Sequence, residues 1–239
     1  MVKDYVVIDL EMTGLCAKTD RILEIGAVKI KDHKIESVYD TLVNPHIKLN
    51  NTVRGLTGIT DAMAANGMED AVALKEFIAY CEDLPLVGHN VICDYSFLKQ
   101  CAVNNNIVFE KIALDTLHIA RKLPLEAEKK TLDYLCEHFQ IDREKSHRAL
   151  ADATATYYLL ERLWTMFKDI SPNLFEPCLL QYKPKKQGPI TRKQKNDLMK
   201  LINYHRIDLK QSIDHLTRNE ASRLTNRILV QYGRVKTTI

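Results

Sequence analysis

Two carboxylates one residue apart, Asp9 and Glu11, lie in the apolar segment VVIDLEMTGL. Side chains at positions i and i+2 of a strand point to the same face, so both acids are predicted to meet beside an apolar run. At about 4 Å, two like charges repel by roughly 1 kcal/mol in water and roughly 4 kcal/mol at an effective dielectric constant of 20. A bound cation or a shared proton would offset that repulsion. Alternatively, the two acids end a strand and are solvated, and other acids in the chain decide between these readings.

Two further acids occur where a helix is predicted to begin. Asp94 follows GHN after a short apolar strand, at a sheet edge where α/β proteins tend to bind ligands, although a single acid there also suits a helix cap. Asp152 lies near the start of the longest predicted helix, five residues after His147. Because positions i and i+5 are not neighbours on a helix, His147 is predicted on the loop or first turn, with Asp152 reaching inward.

The elements that position these residues follow from hydrophobic periodicity, which predicts an α/β fold with a mixed sheet and helices on its faces. A loop that contains Asn44, Pro45, Thr57 and Gly58 is expected between the third strand and the first helix. The predicted strands span residues 5–10, 22–30, 34–43, 84–88 and 112–115, and the predicted helices span residues 70–81, 95–103, 117–123, 131–139 and 149–167.

Charge and proline content divide the chain into three expected parts. Residues 1–170 form the main domain, the four-proline segment 171–190 is a linker or an extended strap, and residues 191–239 form a small basic helical segment. Two short helices are expected in that segment, because Thr191 with Gln194 and Thr217 with Glu220 match the capping-box pattern. Residues 1–182 contain 20 Lys and Arg against 27 Asp and Glu, whereas residues 183–239 contain 14 against 4. The resulting charges, −7 and +10, predict that the basic end contacts a polyanion, with a merely solvated face as the alternative.

Composition excludes several classes of protein. The N-terminal apolar run becomes acidic too early for a signal peptide, and no segment approaches the roughly 18 apolar residues of a membrane span. The cytoplasm is therefore the expected location, and no membrane contact is expected. The six cysteines form no CxxC pair and no zinc-binding spacing, so they are expected to be reduced thiols.

Taken in order, the motifs DxE, HNxxxD and HxxxxD resemble those of the DnaQ-like 3′-5′ exonucleases of the DEDDh type. This resemblance to the family extends over roughly residues 4–165, and the chain is similar to the proofreading epsilon subunit of bacterial DNA polymerase III. The segments TGL, LTGIT, LDTLHIARKL and LDYLCEHFQI also resemble the family, whereas Met12 stands where many relatives have Thr. The resemblance implies a ribonuclease H-like mixed sheet of five strands flanked by helices.

The resemblance also implies roles for individual residues. Asp9, Glu11, Asp94 and Asp152 would hold two divalent ions, Mg²⁺ or Mn²⁺, because oxygen ligands suit these cations. Imidazole titrates near neutral pH, so His147 could take a proton from the attacking water. For Leu56 and Phe97, core packing is an equally good alternative to a contact with bases. The predicted substrate-binding residues are Met12, Thr13, Gly14, Leu15, Leu56, Asn90 and Phe97.

The expected activity is release of nucleoside 5′-monophosphates from the 3′ end of single-stranded nucleic acid, with DNA favoured. An RNA-trimming exoribonuclease of the same fold and a non-catalytic module that binds nucleic acid or a polymerase are the alternatives. Arg218, Arg223 and Arg227 in the basic segment are expected to contact phosphates. The expected partners are a single-stranded 3′ end and a DNA polymerase, and the sequence leaves the oligomeric state open.

Overall fold

The computed structural model describes residues 2–143, 147–209 and 212–235. The described residues group into two compact units, the first within residues 1–45 and 49–184 and the second within residues 46–48 and 185–239. Residues 210, 211 and 236–239 of the predicted basic segment lie outside the described residues. Within the described ranges, no helix is both long enough and apolar enough to span a membrane.

A mixed sheet forms the centre of the first unit. Its strands are β1 (Tyr5–Met12), β2 (Ile22–Lys31), β3 (Lys34–Leu42), β4 (Leu86–Gly88), β5 (Ile112–Asp115) and β6 (Cys178–Leu179), in the spatial order β3-β2-β1-β4-β5-β6. Strand β1 is antiparallel to β2 and parallel to β4. The predicted fold class is confirmed, but the sheet has six strands rather than five. The additional strand arises because Cys178 and Leu179 pair with Ala113 and Ile112 at the sheet edge.

Seven α-helices accompany the sheet in the described part of the first unit. They are α1 (Asn51–Thr57), α2 (Asp61–Ala65), α3 (Asp70–Cys81), α4 (Val91–Asn104), α5 (Thr116–Lys122), α6 (Leu132–His138) and α7 (Ala149–Phe167). Helices α1 and α2 lie in and just beyond the segment predicted as a loop. Each begins at a side-chain cap, since Asn50 accepts a hydrogen bond from Val53 N–H and Thr60 accepts one from Met63 N–H.

The two faces of β1 enter different parts of the core. Val6, Ile8 and Leu10 pack with residues of α3 and α4, whereas Tyr5 and Val7 pack with residues of α7. This alternation follows from the two-residue period of a strand. Asp9 and Glu11 continue the Tyr5 and Val7 series, so they lie on the face of the sheet that α7 covers.

Helix α7 begins in direct contact with β2. A Cβ added to Gly26 would lie 2.1 Å from the backbone nitrogen of Leu150 and 2.2 Å from the carbonyl carbon of Ala149. Both atoms belong to the backbone and cannot move aside without shifting the helix, so only glycine fits here. The sequence of β2 therefore sets how closely the start of α7 approaches the sheet.

Part of the proline-rich segment packs on the first unit. Residues Pro172–Phe175 form a short 3-10 helix, and the fully buried Phe175 ring meets the Trp164 ring edge-on at a centroid distance of 5.1 Å. Strand β6 follows directly. Residues 172–179 thus have regular structure and a core contact in a region predicted to be a linker or strap.

The second unit is a pair of helices, α8 (Arg192–His205) and α9 (Arg218–Tyr232). Both predicted capping boxes are present: Thr191 and Gln194 bond reciprocally at the start of α8, and Thr217 and Glu220 do so at the start of α9. The hydrophobic core of this unit consists of the buried residues Leu198, Leu201, Ile202, Leu216, Ala221 and Ile228. A separate small core therefore joins the two helices.

Candidate active site

Four carboxylates from three elements form an acidic cluster, defined here as Asp9, Glu11, Asp94 and Asp152. The first two lie on β1, Asp94 lies in the first turn of α4, and Asp152 lies in the first turn of α7. Glu11, Asp94 and Asp152 are only 8%, 5% and 5% exposed. The structure thus brings together the four acids that the sequence motifs single out.

Burial and mutual repulsion change the protonation of the cluster. Burial is the largest effect on Asp9 and, with the charges of Asp94, Asp152 and Glu11, raises its pKa well above the usual range. Burial, with the charges of Asp152, Glu24 and Asp94, raises the pKa of Glu11 to about 8. Without a cation the cluster therefore retains protons at neutral pH. A divalent cation would displace these protons and satisfy the same oxygen atoms.

Asp94 is held at the edge of β1 by a backbone contact. Its Oδ1 accepts a hydrogen bond of 3.1 Å from the backbone N–H of Leu10. Burial raises the pKa of Asp94 to about 7, and this backbone donor opposes the rise because it stabilises the charged form. The helix start thus delivers Asp94 to the strand that carries Asp9 and Glu11.

The turn before Asp94 is held in place by polar contacts. Asn90 has left-handed backbone geometry, with φ of 71°, and its N–H donates to Asp115 Oδ1 at 2.9 Å. His89 bonds through its two ring nitrogens to Thr116 Oγ1 at 2.9 Å and to the Lys130 carbonyl oxygen at 2.8 Å. Asn90, predicted to bind substrate or to order this turn, is exposed and lies at the turn itself.

His147 lies in the turn that precedes α7, as the spacing predicts. Its backbone is left-handed, with φ of 61°, and its N–H donates to Asp152 Oδ2 at 3.1 Å. One ligand atom from each of Glu11, His147 and Asp152 lies within 4.8 Å of the other two. Burial raises the pKa of Asp152, whereas hydrogen bonds from Arg143 and the His147 backbone oppose the rise. Two carboxylates and an imidazole therefore lie close enough together to share one divalent cation.

A buried ion pair that the motifs do not reveal holds the start of α7. The Glu24 side chain, 1% exposed, accepts hydrogen bonds from Arg148 Nε at 3.0 and 3.1 Å and from the Ala149 N–H at 2.9 Å. Glu24 lies opposite Glu11 in the β1–β2 register. An acid in a strand that is otherwise buried, ILEIGAVKI, is the sequence signal that could have identified it.

A second residue missed at the sequence level is Arg143. Its Nε donates to Asp152 Oδ1 at 2.6 Å, and its guanidinium also pairs with Asp133. The positive charge lowers the pKa of Asp9 and of Asp152, against the dominant effect of burial. Arg143 therefore neutralises part of the acidic cluster from the side of α6.

The end of β1 and the loop after it contain the four consecutive residues predicted to hold a 3′-terminal nucleotide. Thr13 closes this loop, because its N–H donates to the Arg21 carbonyl oxygen and its Oγ1 accepts from Arg21 N–H, both at 2.9 Å. A Cβ on Gly14 would lie 2.5 Å from Asp20 Oδ2, so a side chain there would displace the carboxylate that binds the Cys16 N–H. Leu15 is 87% exposed, whereas Met12 packs partly against the core.

The remaining predicted contacts fall in different environments. Leu56 on α1 is 52% exposed, whereas Phe97 on α4 is 3% exposed and packs in the core. Of the two readings offered for Phe97, the structure shows core packing. In the second unit, Arg223 and Arg227 are exposed, while the Arg218 side chain donates to the Pro189 carbonyl oxygen at 3.3 Å.

The chain matches a family of nucleases that act at polynucleotide ends. The RNase T family, described as exonuclease, matches residues 6–160. Because that match covers more than half of the chain, the chain belongs to this exonuclease family.

Curated relatives and solved structures agree with this assignment. The chain is 42% identical over 162 residues to DNA polymerase III PolC-type of Oceanobacillus iheyensis, covering 66% of this chain and 11% of that protein. It is 36% identical over 167 residues to the PolC-type protein of Caldanaerobacter subterraneus subsp. tengcongensis, covering 70% of this chain and 12% of that protein. The chain thus matches only about one ninth of the length of these relatives.

The fold is also found in solved exonucleases. Exonuclease I of E. coli, in complex with a dT13 oligonucleotide, has a TM-score of 0.62 and 16% identity, covering 73% of this chain and 43% of that one. Exonuclease X, in complex with 5′ overhanging duplex DNA, has a TM-score of 0.55 and 23% identity, covering 68% and 92% of the two chains. At these identities the likeness concerns the fold.

Proposed function

We propose that the chain is a metal-dependent 3′-5′ exonuclease that releases nucleoside 5′-monophosphates from single-stranded nucleic acid. The supporting observation is the acidic cluster beside His147, in which burial raises the pKa of all four carboxylates and the charges of the neighbouring acids raise those of Asp9 and Glu11 further. Such an arrangement is costly unless cations occupy it. We assign hydrolysis to residues 1–170 and nucleic-acid contacts to residues 191–239, with residues 171–190 connecting them.

The cluster suits two ions of Mg²⁺ or Mn²⁺, since its donors are oxygen atoms and one imidazole. When bound, two such ions supply stabilisation of charge on the attacking and leaving oxygens of a phosphodiester. Asp9, Glu11, Asp94 and Asp152 hold the ions in this proposal. His147, on its strained turn beside Asp152, accepts the proton of the attacking water.

The loop after β1 holds the terminal nucleotide in this proposal. Leu15, 87% exposed, offers an apolar surface for the terminal base, while the Thr13 and Arg21 contacts fix the loop that carries it. Leu56, 52% exposed, offers a second apolar surface. Neither side chain is needed for the core, so both can be replaced without loss of folding.

Single-stranded DNA is the favoured substrate, and a DNA polymerase is the favoured partner. Support comes from the relatives named DNA polymerase III PolC-type and from the fold shared with an exonuclease bound to dT13. An RNA substrate is the competing possibility, because recognition of the 2′-hydroxyl depends on contacts outside the motifs.

The test compares matched DNA and RNA strands, single and duplex, with and without Mg²⁺ or Mn²⁺. The expected result is metal-dependent shortening of single-stranded DNA, faster than that of RNA, which the combined substitutions Asp9→Ala and Asp152→Ala abolish. Glu36→Gln is the matched control, because Glu36 lies on β3 in an exposed pair with Lys31. Full activity of the double variant would refute the proposal. Tight binding without product in excess Mn²⁺ would favour a binding module instead.

A further inference from the structure

Three aromatic rings meet at the C-terminal ends of the two helices of the second unit. Tyr204 and His205 end α8, and Tyr232 ends α9. The His205 ring meets Tyr204 edge-on at a centroid distance of 4.8 Å and lies 5.6 Å from Tyr232. These three residues are called the aromatic platform below.

The platform is ordered but open to solvent. His205 Nε2 is 3.1 Å from the Gly233 carbonyl oxygen, which ties the end of α8 to the residue after α9. The two tyrosines nevertheless remain 47% and 48% exposed. The core of this unit is aliphatic and does not include either tyrosine. The helix pair therefore presents two phenol rings that packing does not require.

The surroundings of the platform are basic. Arg206 follows His205 directly, and Arg234 lies two residues after Tyr232; both are exposed. On α8, Lys200 is exposed one turn before Tyr204, at a spacing that places both on one face. Asp208 is the exposed acid closest in sequence to this end. Three basic side chains against one acid favour a polyanion over an apolar or acidic partner.

Other lysines of α8 do not contribute equally to this charge. Lys193 pairs with Asp197 at 2.8 Å, and Lys195 pairs with Asp214. These pairs lie toward the start of α8, where acids offset part of the lysine charge. Exposed aromatic rings within a basic surface are the usual elements of single-strand binding, because bases stack on rings while cations contact phosphates.

We propose that the aromatic platform, with Lys200, Arg206 and Arg234, binds single-stranded DNA by stacking bases on Tyr204 and Tyr232. This inference rests on the proposed function, since it supplies a second contact for the strand that the first unit would degrade. Covalent linkage of two sites that bind one strand raises overall affinity through effective concentration. The phosphate contacts expected of Arg223 and Arg227 would add charge but no stacking.

The experiment measures binding of fluorescently labelled oligo(dT), about 16 nucleotides long, to the full chain in EDTA, so that no hydrolysis occurs. Combined Tyr204→Ala and Tyr232→Ala should weaken binding by roughly 5-fold or more per ring removed. The matched controls, Tyr204→Phe and Tyr232→Phe, retain the rings and should bind within about 2-fold of the parent chain. Circular dichroism of each variant checks that both helices persist.

An abasic strand of the same length separates stacking from charge. The parent chain should bind the abasic strand more weakly than oligo(dT), and the double Ala variant should lose most of this difference in affinity. The proposal would be overturned if the parent chain and the double Ala variant bound oligo(dT) with equal affinity. It would also be overturned if both Phe variants were folded but bound oligo(dT) as weakly as the double Ala variant. Hydrolysis of a trinucleotide by the parent chain with Mn²⁺ tests the exonuclease proposal independently, so the two failures are distinguishable.

Discussion

Replacement of Glu24 tests whether the buried ion pair on β2 positions the turn that contains His147, before α7. Glu24→Ala removes the bonds to Arg148 and leaves the Ala149 N–H, at the first residue of α7, without its acceptor. Removing one partner of a buried pair costs about 3–5 kcal/mol. The Arg148 side chain is 32% exposed and can be rehydrated in part, so the lower end of that range applies.

For a unit of this size, a loss of about 3 kcal/mol corresponds to a fall in Tm of roughly 6–12 °C. Glu24→Gln keeps an oxygen acceptor but loses the charge, so we expect about half of this effect on the free energy of unfolding. The second readout is kcat on single-stranded DNA with Mn²⁺, measured well below the Tm of each variant. We expect the kcat of both Glu24 variants to fall by roughly 10-fold or more below that of the parent chain, because a small displacement of reacting groups is sufficient for such a loss.

The matched control is Glu161→Gln, at the other end of α7. Glu161 also ties this helix to the sheet, through Tyr5 Oη at 2.8 Å and His33 Nδ1 at 2.9 Å, but far along the helix from the acidic cluster. Its loss should lower Tm and leave kcat unchanged. Equal kcat for Glu24→Gln and the parent chain, or an equal loss of kcat in both Gln variants, would refute a positioning role for Glu24.

Three further predictions follow from the same geometry. In the folded chain without metal, the pKa values of Glu11 and Asp94 are raised to about 8 and about 7. Between about pH 5 and about pH 8 the folded chain therefore holds protons that the unfolded chain has lost. Because of this difference, the free energy of unfolding without metal should fall as the pH rises through that range. Added Mg²⁺ should then raise Tm more at the upper end of that pH range, and Glu11→Gln should flatten the dependence of metal-free stability on pH. A rise in metal-free stability with pH would contradict the raised pKa values. Gly26→Ala should lower the free energy of unfolding by about 3 kcal/mol or more, because the added Cβ would lie 2.1 Å from the backbone of α7. The control is Gly55→Ala, where no atom lies within 4 Å of the added Cβ, and it should be neutral or stabilising in the same thermal unfolding assay. Arg143→Gln removes a positive charge from beside the acidic cluster, so it should lower the Kd for Mn²⁺ roughly 10-fold, as measured by calorimetric titration. Weaker binding would show that Arg143 supports the metal site.

Much of the fold could be predicted from periodicity because the strands are long runs of one pattern. The three N-terminal strands, the pair of capping boxes and the longest helix all lie close to their predicted positions. Three short elements, α1, α2 and β6, were not predicted, because each is too short to show a hydrophobic period. Strand β6 has only two residues and exists because the edge of β5 offers backbone partners.

The site shows a similar division. Asp9, Glu11, Asp94, Asp152 and His147 were found because their types, order and helix or strand context carry chemistry that a single sequence can show. Glu24 and Arg143 were not found, because their roles depend on cross-strand register and on loop geometry that residue spacing does not encode. The roles of all seven residues remain predictions until variants are assayed.

The most direct measurement of the central claim follows a 5′-labelled single strand of DNA incubated with the full chain and Mn²⁺. A two-metal 3′-5′ exonuclease predicts a ladder of strands shortened from the 3′ end, with nucleoside 5′-monophosphates as products. It also predicts that EDTA or Asp94→Asn abolishes the ladder while Glu36→Gln preserves it. Release of the labelled 5′ nucleotide first, or an unchanged ladder with Asp94→Asn, would contradict the account.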